Sequence, residues 1–337
     1  MSEIRFDSIQ NRYVIIAPER EHRPSTRRKD LLTTSKETCP FCEGHEQLTP
    51  AEIFALRDNE ADTKGWKTRV VPNLYKAVQI EAEALSRREG MFEAFSGFGA
   101  HEIIIDTPCH SCTMAELDTE AVENWLWTMV VRMKDLRKDK RLVSLNIFKN
   151  SGENAGATQA HPHTQIIALP IMPEKQLEFL QRNRKYYRVH GRGIVEDVVQ
   201  NERMAKERVI AQRGSFIAYC PYASFFAFEV IIAPVKVISG LDRCSEEERS
   251  ELALLLKTVF KMLTHQLDRF DYNVAVMTAP LNANFETESY MEEIERNFTF
   301  YLRIMPRIYT LGGFELSTET AINSVAPEKC AKLLRGE

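Results

Sequence analysis

Asn150-Ser-Gly-Glu-Asn-Ala-Gly156-Ala-Thr158-Gln-Ala-His161-Pro162-His163-Thr-Gln165-Ile-Ile-Ala-Leu-Pro170 is the stretch on which the reading of this chain turns. It begins as a loop of small and amide-bearing residues. Two imidazoles, one proline apart, then open an apolar strand that closes at Pro170. Such a loop offers backbone N–H groups to phosphate oxygens. Imidazole is a nucleophile that can carry a phosphoryl group as a covalent intermediate. A phosphate cradle beside a nucleophile is what nucleotidyl transfer requires.

Outward from this stretch, the chain repeats itself. The first half has a strand His101–Asp106 before Pro108. A helix follows, capped by Asp118 or Thr119, with Val122, Trp125, Leu126, Met129, Val130, Met133 and Leu136 at helical spacing. Then come a strand Leu142–Phe148 and the closing strand to Pro170. The second half has Phe228–Ala233 before Pro234 and a helix behind a Ser245-x-x-Glu248 capping box. Strands at Tyr272–Met277 and Phe298–Pro306 complete it. Matched positions drift from 127 residues apart (Glu102 to Glu229) to 136 (Pro170 to Pro306), as loop insertions produce. The expectation is an α+β fold of two tandem units, antiparallel sheets with packed helices, at residues 1–175 and 176–337. Lys175 to Arg213 reads as a charged helical connection, and Pro327 to Arg335 as a terminal helix. The second copy has Asn297-Phe-Thr299-Phe-Tyr301 where the first has its histidines, so the first holds the chemistry.

The 337 residues are 44% hydrophobic and 27% charged, the balance of a water-soluble globular chain. A net charge of −4 gives no basic field for nucleic acid, and no apolar stretch approaches the ~20 residues that span a bilayer. The Met-Ser-Glu-Ile-Arg-Phe start has no signal-peptide core, and the expected compartment is the cytoplasm. Seven cysteines, an odd number in a long intracellular chain, argue against disulfides. Cys39-Pro-Phe-Cys42 reads as a metal-binding pair, and Cys220, Cys244 and Cys330 as buried small residues. Cys109-His-Ser-Cys112 is a second Cys-x-x-Cys, which with the first could form a four-cysteine site. His-x-His also serves catalytic metals in some hydrolases, but the other histidines lack the spacing for further ligands.

The chain resembles the galactose-1-phosphate uridylyltransferase family of the histidine-triad superfamily. The motifs that carry the resemblance run in order through the chain. They are Asn11-Arg-Tyr-Val-Ile-Ile-Ala-Pro-Glu-Arg20-Glu-His-Arg23-Pro24, Cys39 to Cys42, Trp66 to Asn73, His101 to Ser111, the loop from Asn150 to Gln165, and Gly313-Phe314-Glu315. The resemblance implies that His163 is the nucleophile and that Gln165 hydrogen-bonds the transferred phosphoryl group. It implies phosphate contacts from Arg20 and Arg23, a nucleoside contact from Asn73, and a phosphate loop opened by Asn150 with amides near Gly156 and Thr158. Phe314 and Glu315 fall at a substrate-contacting motif. Cys39, Cys42, His110 and His161 match the family's structural zinc ligands, one zinc per chain. The implied partners are nucleotide-sugar and sugar-phosphate substrates and a second copy in a homodimer, with neither nucleic acid nor membrane.

Two departures bear on substrate. Thr299 and Tyr301 stand where uridylyltransferases proper have a His-x-His feeding a second metal, and Ala321 falls where they have a hexose-contacting glutamine. The expected activity is uridylyl transfer between UDP-glucose and galactose 1-phosphate. The alternative, closer to Gly312-Gly-Phe-Glu315 with Ile322-Asn323, is ADP-glucose phosphorolysis. A third reading is a nucleotide-binding zinc protein without catalysis.

Overall fold

A computed structural model describes residues 2–20 and 35–337. Its strands in chain order are β1 (Glu3–Asp7), β2 (Arg12–Ile16), β3 (Phe54–Leu56), β4 (Thr68–Pro72), β5 (Ser86–Glu89), β6 (Phe92–Phe95), β7 (Ala100–Ile105), β8 (Ser144–Ser151), β9 (His163–Leu169), β10 (Val209–Arg213), β11 (Phe216–Tyr219), β12 (Val230–Pro234), β13 (Tyr272–Met277), β14 (Tyr301–Pro306) and β15 (Ala321–Asn323). The helices are α1 (Thr119–Leu136), α2 (Glu174–His190), α3 (Ile194–Ala205), α4 (Glu246–Leu267), α5 (Glu288–Asn297), α6 (Gly313–Thr318) and α7 (Pro327–Arg335). Asp118 caps α1 by accepting from Ala121 N, and Ser245 and Glu248 close the capping box on α4.

The repeat appears in the order of one ten-stranded antiparallel sheet, β10-β11-β12-β14-β13-β8-β9-β7-β4-β3. β7, β9 and β8 of the first series are adjacent, as are β12, β14 and β13 of the second. The two runs meet in opposite order where β8 pairs with β13, Asn150 opposite Asn273. β1, β2 and β15 form a small separate sheet, in which β15 runs parallel to β2. No helix is long and apolar enough to cross a membrane among the described residues.

Alternation along the strands sorts side chains onto two faces. One face (Val70, Ile104, Ile147, Ile166, Val230, Val274, Leu302) packs on the apolar stripes of α1 and α4, which touch each other. The opposite face is covered at one end by Ile194, Val195 and Val199 of α3, against β11, β12 and β14. At the other end Phe41 and Trp66 lie on Val71, Ile103 and Ile105 of β4 and β7. Between these clusters β9, β8 and β13 remain, and β9 carries His163 and Gln165. The matched Glu102 and Glu229 are not equivalent. Glu102 turns to the helices and binds Arg132 of α1, whereas Glu229 binds Arg303, whose neighbour Tyr301 sits in the cluster on the opposite face. A register shift of one residue changes face, and sequence spacing alone does not see it.

α1 is held to the sheet by polar contacts as well as by its stripe. Trp125 Nε1 donates to Thr164 Oγ1 at 2.9 Å, between His163 and Gln165 on β9. Arg132 makes a two-pronged bond to Glu102 at 2.7 and 2.8 Å, both side chains about 5–6% exposed. Removing one partner of a buried pair leaves an uncompensated charge. Arg132→Met is therefore expected to lower stability by about 3–5 kcal/mol in chemical denaturation, and Arg132→Met/Glu102→Leu to recover most of it. A loss below about 1 kcal/mol for the single variant would show that water, not arginine, satisfies Glu102.

Candidate active site

β9 begins where the loop ends, and its first residue is His163, buried at 5% exposure. Its Nδ1 donates to the main-chain carbonyl of His161 at 2.9 Å. A carbonyl only accepts, so the hydrogen sits on Nδ1 and the neutral ring keeps a lone pair on Nε2. Nε2 has no hydrogen-bond partner among the described residues. Burial, and then the Lys149 ammonium, hold the His163 imidazolium below the usual histidine range, against the stabilising bond to His161. The ring rests near Phe41, centroids 5.5 Å apart. Gln165 lies two residues on, on the same face of the strand.

The backbone behind His163 is fixed from both sides. Lys149 Nζ donates to Asp106 Oδ2 at 2.7 Å and to the His163 carbonyl at 3.2 Å. Asp106 N donates to Pro162 O at 3.1 Å. Regular pairing of β8 with β9 ends at Phe148 opposite Gln165, so Lys149 continues by side chain where the ladder stops. The sequence did carry a signal for Lys149. It follows Leu145 and Ile147 at period two, on the buried side of the strand.

The loop from Asn150 is anchored by the second half of the chain. Asn273 Nδ2 donates to Asn150 Oδ1 and to Ala155 O, both at 2.8 Å. Asp271 Oδ2 accepts from Asn154 N at 2.8 Å and from Asn154 Nδ2 at 2.7 Å. Gly152 has φ 88°, and a Cβ there would stand 1.8 Å from Asp271 Oδ1. Gly156 has φ 82° and open space around it, and Thr158 is exposed.

Cys39, Cys42, His110 and His161 come together with their ligand atoms all within 4.8 Å of one another. Cys39 Sγ and Cys42 Sγ lie 3.7 and 3.6 Å from His161 Nδ1, and Cys42 Sγ lies 3.2 Å from His110 Nδ1. A tetrahedral ion with S and N ligands separates them by about 3.3–3.8 Å, so the set fits a metal. His161 Nε2 donates to Thr107 O at 2.8 Å, which leaves Nδ1 bare toward the cluster. Burial keeps this ring neutral, its pKa lowered to about 4. Burial, with Cys39 beside it, pushes the Cys42 thiol up to about 11, so the thiolate a metal needs calls for a cation. Cys109 and Cys112 are joined by a disulfide, their Cα atoms 5.6 Å apart. This corrects the expectation of no disulfides and removes both from the ligand set. Two intervening residues bring the pair within bridging range, and a count of cysteines does not register that.

Other predicted residues are more dispersed. Asn73 directly follows β4 and donates its N–H to the His101 carbonyl at 2.9 Å. Arg20 is exposed at the end of the short turn Pro18–Arg20 and makes no side-chain bond among the described residues; Arg23 lies outside them. Phe314 and Glu315 lie on α6, where Glu315 accepts from Gly312 N at 2.9 Å. Ala321 is buried on β15 beside β2. Sequence reasoning passed over His101, whose ring bridges Asn73 and Gln165.

Gly152→Ala is expected to place a methyl on the Asp271 carboxylate and strain a left-handed backbone. Amide exchange in residues 152–157 should rise sharply, whereas exchange in β9 stays slow. Unchanged loop protection would mean that Asp271 does not anchor it.

Residues 1–173 match the N-terminal domain of galactose-1-phosphate uridyl transferase, and residues 179–335 match its C-terminal domain. ADP-glucose phosphorylase of Arabidopsis thaliana is 30% identical over 99% of this chain and 92% of its own length. Galactose-1-phosphate uridylyltransferase of Thermotoga maritima is 26% identical over 99% and 98%. The crystal structure of the Arabidopsis enzyme with bound ADP-glucose superposes with a TM-score of 0.84, covering 100% of this chain and 99% of that one. A uridylyltransferase structure at 22% identity shares the fold with a TM-score of 0.75, covering 100% and 98%. The chain belongs to the galactose-1-phosphate uridylyltransferase family of nucleotidyltransferases.

Proposed function

We propose that this enzyme moves a nucleotidyl group between a nucleotide sugar and a phosphate acceptor, carrying it on His163. The observation that supports this most is the His163 ring itself, neutral, buried, tied at Nδ1 and free at Nε2. In the first step Nε2 attacks the α-phosphorus. A P–N bond forms, and the P–O bond to the sugar phosphate breaks, its electron pair leaving with that phosphate. In the second step an acceptor phosphate oxygen attacks the same phosphorus and the imidazole leaves. Nδ1–H faces the His161 carbonyl throughout, which stabilises positive charge gathering on the ring. Gln165, the loop amides near Gly156 and Thr158, and Arg20 and Arg23 are assigned to the phosphates, where positioned donors lower the barrier. Asn73 is assigned to the nucleoside, Asn150 to the loop, and Phe314 and Glu315 to substrate contact.

The first substrate reading is UDP-glucose with galactose 1-phosphate. A second, ADP-glucose with inorganic phosphate, is favoured by the 30% identity to the Arabidopsis phosphorylase and by Thr299 and Tyr301 at the second-copy positions. We assign residues 1–175 as the chemical unit and 176–337 as its degenerate copy, and read the enzyme as a cytoplasmic homodimer. Zinc is the metal proposed for Cys39, Cys42, His110 and His161, since it accepts two thiolates and two imidazoles in a closed tetrahedron. When bound, it would brace the loop through His161.

Incubation with UDP-glucose or ADP-glucose should give an intact-mass increase of one nucleotidyl group, lost in His163→Gly and partly restored to turnover by free imidazole. Gln165→Ala should form the adduct slowly, by about 10²–10³-fold as for loss of one charge-stabilising donor. The acceptor that discharges each adduct separates the two substrate readings. Nucleotide binding without adduct from either donor would favour the non-catalytic reading.

Elemental analysis should find about one zinc per chain. Cys39→Ser should lose it together with stability, and Cys112→Ser should keep it. Zinc loss in Cys112→Ser with retention in His110→Ala would restore the four-cysteine arrangement.

A further inference from the structure

His101, the second residue of β7, has no part in the metal cluster and follows no ligand spacing. Its ring is nonetheless bonded on both nitrogens. Ala77 N lies 3.1 Å from Nδ1. A backbone amide only donates, so Nδ1 must accept, and the hydrogen of the ring is on Nε2. Nε2 lies 3.0 Å from Gln165 Oε1 and 3.0 Å from Asn73 Nδ2. Of the two, only the oxygen can accept. The Asn73 amide cannot turn to offer its own oxygen, because Asn73 Oδ1 already accepts from Tyr75 N at 2.9 Å. The proton of His101 therefore goes to Gln165, and the Asn73 amide hydrogens are left for another acceptor.

We propose that His101 is the positioning residue that orients the Gln165 carboxamide, holding its oxygen inward and turning its NH₂ group toward the phosphoryl group transferred at His163. This rests on the roles given above to His163 and Gln165. A free carboxamide rotates between two faces of nearly equal shape, one offering hydrogens and the other lone pairs. Lone pairs facing phosphoryl oxygens repel them, so half of the rotations oppose catalysis. Gln165 Nε2 has no partner among the described residues, so nothing but the grip on Oε1 selects the productive face.

Two substitutions divide the ring. An asparagine oxygen occupies roughly the place of Nδ1, so His101→Asn keeps the Ala77 bond and drops the one to Gln165. A glutamine nitrogen reaches the place of Nε2, so His101→Gln restores the donor. Adduct formation in single turnovers with UDP-glucose and ADP-glucose should slow in His101→Asn by about tenfold or more, at unchanged substrate affinity and thermal midpoint. His101→Gln should recover most of the rate. In a Gln165→Ala background, His101→Asn should cost nothing further. Ring ¹⁵N shifts should report hydrogen on Nε2 of His101 in the unmodified enzyme. Multiplying losses in the double variant, an unaffected rate in His101→Asn, or hydrogen on Nδ1 would each overturn the proposal while leaving the nucleophile intact. No adduct on the unmodified enzyme, with the ring hydrogen on Nε2, would instead sink the reading of His163 and carry this one with it.

Discussion

The contact from His163 Nδ1 to the His161 carbonyl ties the candidate nucleophile to the cluster of two cysteines and two histidines. His161 serves two structures at once. Its ring turns Nδ1 to the two cysteines, and its carbonyl fixes the proton of the next imidazole but one. Pro162 between them removes a donor and restricts the chain, so ring and carbonyl cannot swing apart independently. A metal held by that ring thereby braces the candidate nucleophile without touching it. Such coupling explains why the cluster and the strand start are adjacent in sequence as well as in space.

Charge behind the strand has the same logic. A lysine at the buried side of a strand is costly to desolvate, and Lys149 is tolerated because Asp106 answers it directly. The pair bridges β8 and the end of β7 across the backbone of β9. It replaces ladder bonds at the one place where the strands must part to let the loop out. A wholly apolar contact there would bury area but leave the His163 carbonyl unsatisfied. Specific backbone placement, more than stability, is what a buried pair of this kind can supply.

Local pattern carried much of the fold. β13 and α7 fall on the residues expected, and the caps on α1 and α4 are those that the Asp118 and Ser245 contexts imply. Helical and strand periods are local properties, legible wherever one face is buried. The joining of the two copies through β8 and β13 was not legible, because partner choice depends on residues more than a hundred positions apart. The opposed faces of Glu102 and Glu229 were missed for the same reason. At the site, the cluster of Cys39, Cys42, His110 and His161 was readable from motif and resemblance. His101 was not, since a lone histidine at a strand start acquires meaning only when Ala77, Asn73 and Gln165 fold around it.

The second series of strands carries Thr299 and Tyr301 and no His-x-His, yet it is not spare scaffold. Tyr301 is buried, with Gln10 donating to its hydroxyl at 2.8 Å, and Arg303 is paired with Glu229 beside it. That region is a buried polar cluster with no imidazole in it, where Arg303 pairs with Glu229 but one of its terminal nitrogens and the Thr299 hydroxyl stay without a partner. Its influence is exerted at the other end of β13, where Asp271 and Asn273 hold the loop of the first copy by four hydrogen bonds. Gly152 is confined to glycine by that grip, since any side chain there would collide with Asp271. The loop's own bonds, from Ala155 N and Ala157 N to Gly152 O and from Gly156 N to Glu153 O, fold it into a short turn but do not fix where that turn sits on the sheet. An outside anchor is the physical solution, and the neighbouring copy, paired strand to strand, is the structure best placed to supply it. β14 carries Tyr301 at one end of its pairing with β13, and the far end of β13 stays bound to the loop.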